Sequence, residues 1–258
     1  MNTVLVEKKN HIGWIILNRP NQRNALSIEL MDEMQKTLHE IAKDKHIHAV
    51  IIKGNGPEFC SGHDMKELVG NQYRKEYFTK IFLSCSQLMQ TLHKLPQPVI
   101  AQVHGAALAA GCQLVAECDL AIADTCAHFS TPGVKIGLFC STPMVPLSRS
   151  IQKKRALDML FSGRFISAQE AKEFGLINRI VEQKDLERST AEWACEITQY
   201  SLHTLELGKR AFYQQINKSK VDAYEYAIET MAKNCLSEDA QEGMRAFLEK
   251  RPPIWKDR

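Results

Sequence analysis

Two runs of small residues are where this chain is best equipped for chemistry. Phe59-Cys60-Ser61-Gly62-His63-Asp64 follows a strand that ends near Lys53, and Gly105-Ala106-Ala107-Leu108-Ala109-Ala110-Gly111-Cys112 lies between a strand and a helix. Small side chains just after a strand leave backbone N–H groups facing outward. An N–H at the opening of a helix, the place expected for Ala110, also has the positive end of the helix dipole behind it. Two such groups converging from separate turns would make an oxyanion hole for a carbonyl compound whose oxygen gains charge during reaction. Close packing is the other use of small residues in turns. His63 stands within the first run and belongs to the residue type that titrates near neutral pH. Cys60 and His63 form a C-x-x-H pair, but no second ligand pair stands at a zinc-binding distance in sequence, so no metal site is expected. Asp64 suits the N-cap of a short helix starting there.

The elements that must position these runs follow from periodicity. Thr3–Glu7 and Gly13–Leu17 read as strands, the second ended by Asn18-Arg19-Pro20. Ser27 reads as an N-cap, and Leu30, Met31, Met34, Leu38 and Ile41 behind it form the apolar stripe of a helix. A short strand is expected at Ala49–Ile52. A helix is expected from Arg74 to Leu95, stopped by Pro96 and Pro98, before a buried strand at Val99–Val103. Strands at Asp119–Ala123 and Ala127–Ser130 come next, and helical periodicity dominates beyond Thr142. There Ser167-Ala168-Gln169-Glu170 has the form of a capping box, and Pro252-Pro253 closes the last helix. The expected organisation is a mixed α/β core over residues 1–195 and a helical region over 196–258.

Composition excludes several classes of function. The 258 residues carry 33 Lys+Arg against 30 Asp+Glu, spread along the chain, so no basic footprint for nucleic acid exists. The longest apolar runs are far shorter than the roughly 18 residues of a membrane span. Eight cysteines, at positions 60, 85, 112, 118, 126, 140, 195 and 235, form no disulfide framework and read as reduced thiols. No G-x-G-x-x-G follows an early strand, which removes a dinucleotide-binding fold.

Taken together, five segments in order resemble the crotonase, or enoyl-CoA hydratase/isomerase, superfamily. They are Leu17-Asn18-Arg19-Pro20 with Asn24-Ala25-Leu26, Phe59 to Asp64, His104 to Cys112 with Cys118-Asp119, Ala168 to Ala171 with Gly175-Leu176 and Val181, and Glu242 to Arg251. The resemblance implies an α/β crotonase (ClpP-like) fold. This is a spiral of ββα units with a C-terminal helical trimerisation region, assembled as a homotrimer or a dimer of trimers. It implies an acyl-CoA substrate of fatty acid metabolism, with no cofactor beyond the coenzyme A of the thioester itself. By the same likeness the thioester oxygen would rest on the backbone N–H groups of Ser61 and Ala110. Ser61, Gly62, His63, Asp64, Ala110, Gly133 and Cys140 would line the substrate, with Phe247 and Lys250 of a neighbouring subunit near its nucleotide end. The loops at 66–77 and 139–146 would set the depth of the acyl pocket.

One departure from the family matters for mechanism. Typical hydratases of the family place two glutamates where this chain has Gln113 and Gly133. Gln113 can hydrogen-bond a water but cannot take its proton, and Gly133 has no side chain. General acid–base help is worth about 10²- to 10⁴-fold per group, so the resemblance implies enolate chemistry in which standard hydration is doubtful. The same gap argues against an isomerase that uses the second glutamate. His63 and Gln113 remain as candidate catalytic side chains. Ser-Gly-His-Asp also resembles the loop of the methylmalonyl-CoA decarboxylase branch, where a histidine holds a carboxylate, although that branch has tyrosine where Cys140 aligns. A catalytically silent acyl-CoA binder is the alternative from another class. Glu117 is expected on the solvent side or in a structural ion pair, and Cys140 as a small buried filler. Gly137 to Pro143, taken with Cys60 to Asp64, Gln113 and Gly133, resembles a branch whose animal members are mitochondrial. With its first strand close to the start, this chain is expected to be a cytoplasmic member.

Overall fold

The structure is a computed structural model and describes residues 2–70 and 72–258; Met1 and Asn71, the latter within the 66–77 loop, lie outside it. The chain opens with a hairpin, β1 (Val4–Lys9) against β2 (Ile12–Leu17). Its two-residue turn is Asn10 and His11, both at positive φ (53° and 62°), the handedness that matches the strand twist. Four parallel strands extend the sheet: β3 (Ala49–Gly54), β4 (Val99–Val103), β6 (Leu120–Asp124) and β9 (Arg179–Val181). The order is β1-β2-β3-β4-β6-β9. β2 and β4 are buried along their whole length and β3 nearly so, because the sheet is covered on both faces.

A second, smaller sheet has β7 (His128–Ser130) between β5 (Ala106–Leu108) and β8 (Ile166–Ser167). The chain passes repeatedly from a strand of the large sheet to one of the small sheet and on to a helix. β4 leads into β5 and then α4 (Ala110–Glu117) in this way, which is the ββα spiral.

On one face of the large sheet, α1 (Ile28–Ile41) buries the stripe Leu30, Met31, Met34, Leu38 and Ile41, and the Ser27 hydroxyl accepts the Leu30 N–H at its start. Beside it lie α2 (Met65–Val69) and α3 (Lys75–Lys94), the latter ending where Leu95 turns extended ahead of Pro96. The other face is covered by α8 (Leu186–Thr198). Trp193, Ala194 and Leu186 close a separate apolar cluster on Trp14, Ile51, Ile100 and Ile122. Alternation within a strand divides the two cores: Val50 and Ile52 of β3 face one, Ala49 and Ile51 the other.

Between these come α5 (Met144–Ser150), α6 (Lys153–Ser162) and α7 (Ala168–Phe174), and α7 opens with the expected Ser167–Glu170 capping box. The chain ends in α9 (Leu202–Gln215), α10 (Lys220–Cys235) and α11 (Glu238–Glu249). The expected division at 195/196 falls inside α8, a continuous helix packed on the large sheet. The helical region therefore begins only after Thr198. The strand expected from Asp119 starts at Leu120, because the Asp119 carboxylate is used to accept the Val99 N–H at the entry to β4.

The start of α4 is pressed against the Phe59–Asp64 loop. A Cβ on Gly111 would overlap the carbonyl of Cys60, so only glycine permits this approach. Gly111→Ala is expected to destabilise the chain by about 1–3 kcal/mol, read as a lower urea midpoint with an unchanged m-value.

Candidate active site

The Phe59–Asp64 loop is fastened on both sides by backbone pairing. Cys60 pairs with β5, donating to the Ala106 carbonyl (3.0 Å) and accepting from the Leu108 N–H (2.9 Å). Three residues on, His63 sits in a parallel bridge to Leu26: Leu26 N–H donates to the Gly62 carbonyl (2.7 Å) and Asp64 N–H to the Leu26 carbonyl (3.1 Å). Between the two pairings Gly62 adopts φ +97°, which turns the chain.

The opening motif holds the Leu26 side of this arrangement. Asn24 is fully buried; its carbonyl oxygen accepts the Arg19 N–H (2.9 Å) and its amide donates to the carbonyls of Asn55 (2.9 Å) and Glu58 (2.8 Å). Arg19 donates to the Ala25 carbonyl and to Asp64 (2.8 Å).

These pairings correct one expected donor. The Ser61 N–H is consumed by the Arg23 carbonyl (3.0 Å), so it is not available to a ligand. A bridge of this kind directs the N–H of its central residue away from the paired strand. The free group is therefore the N–H of His63, for which no described residue supplies an acceptor.

Across the gap, Ala109 holds φ +48° and ψ −113°, a region costly for any residue with a side chain, and its N–H bonds the Ser130 carbonyl (2.9 Å). That turn leaves the Ala110 N–H at the head of α4, also without an acceptor among the described residues. The two segments touch: a Cβ on Gly62 would lie 3.4 Å from the Ala110 nitrogen and 3.0 Å from the Leu108 carbonyl oxygen. Two unpaired N–H groups thus stand side by side, one backed by a helix dipole.

The segments that carry this pair also carry polar, uncharged side chains. Both ring nitrogens of His63 are out of solvent without a hydrogen-bond partner, and the ring meets Phe82 of α3 edge-on at 5.3 Å. Burial pulls its pKa down to about 4, so the imidazole is neutral at physiological pH. Gln113, one turn beyond Ala110, is buried with an unpartnered Oε1. Thr131, fully buried with an unpartnered hydroxyl two residues before Gly133, had no signal in the sequence.

Gly133 has no room for a side chain. A Cβ there would overlap the Leu138 carbonyl and lie 2.9 Å from the Cys140 sulfur, because the 138–140 loop packs over the position. Burial raises the Cys140 thiol, and pushes those of Cys60, Cys85 and Cys112 up to about 12, so none is an activated nucleophile.

Asp64 is taken out of the substrate-lining set. One oxygen caps α2 by accepting the Lys66 N–H (3.0 Å), and the other is held by Arg19. Burial opposes its ionisation, but these contacts keep its carboxyl below the usual range. Glu117 is buried and paired with His93 (2.9 Å), the structural role expected of it. Phe247 and Lys250 lie at the end of α11, both exposed, with Lys250 closing the helix at φ +55°. An open depression of about 500 Å³ lies between α11 and the 251–256 tail and includes none of these groups. Among the described residues no three His, Cys, Asp or Glu side chains gather as metal ligands, and no helix is long and apolar enough to cross a membrane.

Parallel strands that alternate between two sheets and lead on to helices are the crotonase fold. A sequence model described as Enoyl-CoA hydratase/isomerase matches residues 7–258, and the chain belongs to that family. A curated relative from Xenopus laevis, enoyl-CoA hydratase domain-containing protein 3, mitochondrial, is 45% identical over 97% of this chain and 85% of its own. The solved structure of an enoyl-CoA hydratase from Mycobacterium smegmatis superposes with a TM-score of 0.96 at 41% identity, covering 99% of both chains. That of human enoyl Coenzyme A hydratase domain-containing protein 3 gives 0.95 at 41% identity, covering 98% of this chain and all of that one. These agree with the branch to which the Gly137–Pro143 and Cys60–Asp64 stretches are alike. The cytoplasmic expectation is corrected by the same comparison: the frog, rat and human relatives are named as mitochondrial.

Two outcomes follow from the geometry. The His63 ring titrates near 6.5 when unfolded and near 4 when folded, so the unfolded chain holds more protons between those values. Stability therefore falls as pH drops from about 6.5 to about 4, by on the order of 3 kcal/mol from this ring. In urea titrations across that window, His63→Gln should shallow the slope by about one proton. Gly133→Glu should lower the melting temperature without raising hydration of crotonyl-CoA, since its Cβ meets the Leu138 carbonyl before any carboxylate can be placed.

Proposed function

We propose that the chain binds acyl-CoA thioesters with the thioester oxygen between the N–H groups of His63 and Ala110. There it catalyses a reaction through the thioester enolate, without the two-glutamate hydration route. The carrying observation is the adjacent pair of N–H groups left unpaired by the Leu26 bridge and the Ala109 turn. Leaving two buried donors without acceptors costs stability unless a ligand supplies them. Polarising the thioester carbonyl stabilises an enolate whatever step follows, and coenzyme A enters only as part of the substrate.

Gln113 orients a water or a polar acyl group by hydrogen bonding, and Ser61, Gly62, His63, Gly133 and Cys140 line the acyl end. A homotrimer or dimer of trimers is part of the proposal. It is supported by Val221, Tyr224, Ile228 and Met231, which stand exposed on α10 at helical spacing, and by Phe247 and Lys250. In a trimer the last two would reach a neighbour's nucleotide end.

The neutral, unpartnered His63 ring favours a second reading, decarboxylation of a malonyl-type thioester. A neutral imidazole donates one hydrogen bond to the substrate carboxylate. The carbon–carbon bond breaks, carbon dioxide leaves, its electron pair enters the enolate held by the two N–H groups, and the α-carbon takes a proton from solvent. No strong base is required.

Purified protein should be incubated separately with crotonyl-CoA, longer enoyl-CoAs and methylmalonyl-CoA, beside His63→Ala, with products followed by mass. Turnover of any thioester above background supports the enolate reading. Carbon dioxide release that falls at least tenfold in His63→Ala selects decarboxylation. Fast crotonyl-CoA hydration would sink the claim that the glutamate route is lost. Binding without turnover would leave a silent acyl-CoA binder.

A further inference from the structure

Helix α9 grips the core with two polar side chains one turn apart. The Lys209 ammonium, 7% exposed, donates to the carbonyls of Leu92 (2.7 Å) and Gln97 (2.9 Å) and lies 2.6 Å from Asp119 Oδ2, so its three donors are all used. Tyr213 donates its hydroxyl to Asp119 Oδ1 (2.8 Å) and stacks on the His93 ring at 3.9 Å and 16°. His93 in turn pairs with Glu117. Burial lowers the Lys209 pKa against the pull of Asp119, the mark of a desolvated ion pair rather than a surface contact.

The contacts to Asp119 and Glu117 converge on one end of one helix, while the Leu92 and Gln97 carbonyls tie Lys209 to the end of α3 and the segment after it. Glu117 is the last residue of α4, Asp119 stands two residues on, past the capping Cys118, and Ala110 is the first. The buried flanks of α4, Cys112, Leu114 and Val115, are apolar or nearly so and set no position along the helix axis. Directional contacts stand at both ends: the Ala109 N–H on the Ser130 carbonyl just before Ala110, and the Glu117 and Asp119 pairs at the C-terminal end. Eight residues at about 1.5 Å each make a short, stiff rod, so displacement at Glu117 reappears at Ala110.

We propose that Lys209 and Tyr213 are positioning residues: by clasping Asp119, and Glu117 through His93, they fix α4 along its axis. They thereby place the Ala110 N–H against the thioester oxygen, which makes the C-terminal helical region part of the acyl-CoA site. This rests on the reading of Ala110 as a thioester donor. Hydrogen-bond strength falls steeply with length and angle, so a shift of a few tenths of an ångström at Ala110 weakens polarisation of the carbonyl while the rest of the ligand stays bound.

The test compares two probes on the full-length protein. One is cinnamoyl-CoA, whose ultraviolet absorption moves to the red when its thioester carbonyl is polarised. The other is the matching S-cinnamyl-CoA thioether, which has no carbonyl. The variants are Tyr213→Phe, which keeps the ring and its stack on His93, and Lys209→Met, with Lys209→Arg as the charge-conserving counterpart. Folding is checked by thermal melts.

Tyr213→Phe is expected to bind the thioester about tenfold more weakly, with a smaller red shift, while thioether affinity stays within about twofold. Lys209→Met, where it folds, should do the same, with partial recovery in Lys209→Arg. A red shift and thioester-to-thioether ratio unchanged in Tyr213→Phe would overturn the proposal, as would equal weakening of both probes. A wild-type protein that gives no red shift would instead sink the underlying reading of the Ala110 donor.

Discussion

Everything at the candidate site depends on two backbone N–H groups being kept without partners inside the chain. Buried donors nearly always find acceptors, and the usual way to leave one free is to commit every neighbouring acceptor elsewhere. Here the commitments are explicit. The Leu26 carbonyl is given to Asp64, the Arg23 carbonyl to Ser61 and the Ser130 carbonyl to Ala109. The Asn24 amide, fully buried, supports this by tying the loop before Leu26 to the carbonyls of Asn55 and Glu58. Strain at Ala109 and the close approach at Gly111 are the local costs of bringing the two donors together.

Much of this architecture was legible from local pattern. The strand Val99–Val103, the apolar stripe of α1 and the Ser167–Glu170 capping box are read from spacing alone, because each depends on residues within a turn or two of one another. Ala110 at the head of α4 was legible for the same reason. The choice between Ser61 and His63 was not. It is made by pairing to Leu26 and Arg23, which lie far back in sequence, and nothing in the run Cys60-Ser61-Gly62-His63 shows which N–H faces inward. The signal was the glycine, since a positive φ at Gly62 reverses the direction in which the following residue points. The boundary at 195 failed for a related reason: α8 is amphipathic like the helices after it, and only its packing on Trp14 and Ile51 marks it as part of the core.

The site's electrostatics differ in kind from those of an acid–base enzyme. The segments that carry the two donors also carry a neutral imidazole and a glutamine amide. The one carboxylate in the loop, Asp64, is spent on Arg19 and the head of α2. Such a site offers hydrogen-bond donors and supplies no strong base of its own. Family membership and a nearly superposable backbone therefore leave the reaction itself to be decided by a few side chains.

The packing around Gly133 also bears on chemistry. With the Leu138 carbonyl and the Cys140 sulfur occupying the volume a side chain would need, no larger residue fits at Gly133 unless the 138–140 loop moves. The loop would first have to withdraw, and until it did, every larger residue at this position would weaken the fold without any catalytic return. Packing at one glycine can therefore separate two chemistries whose backbones superpose closely.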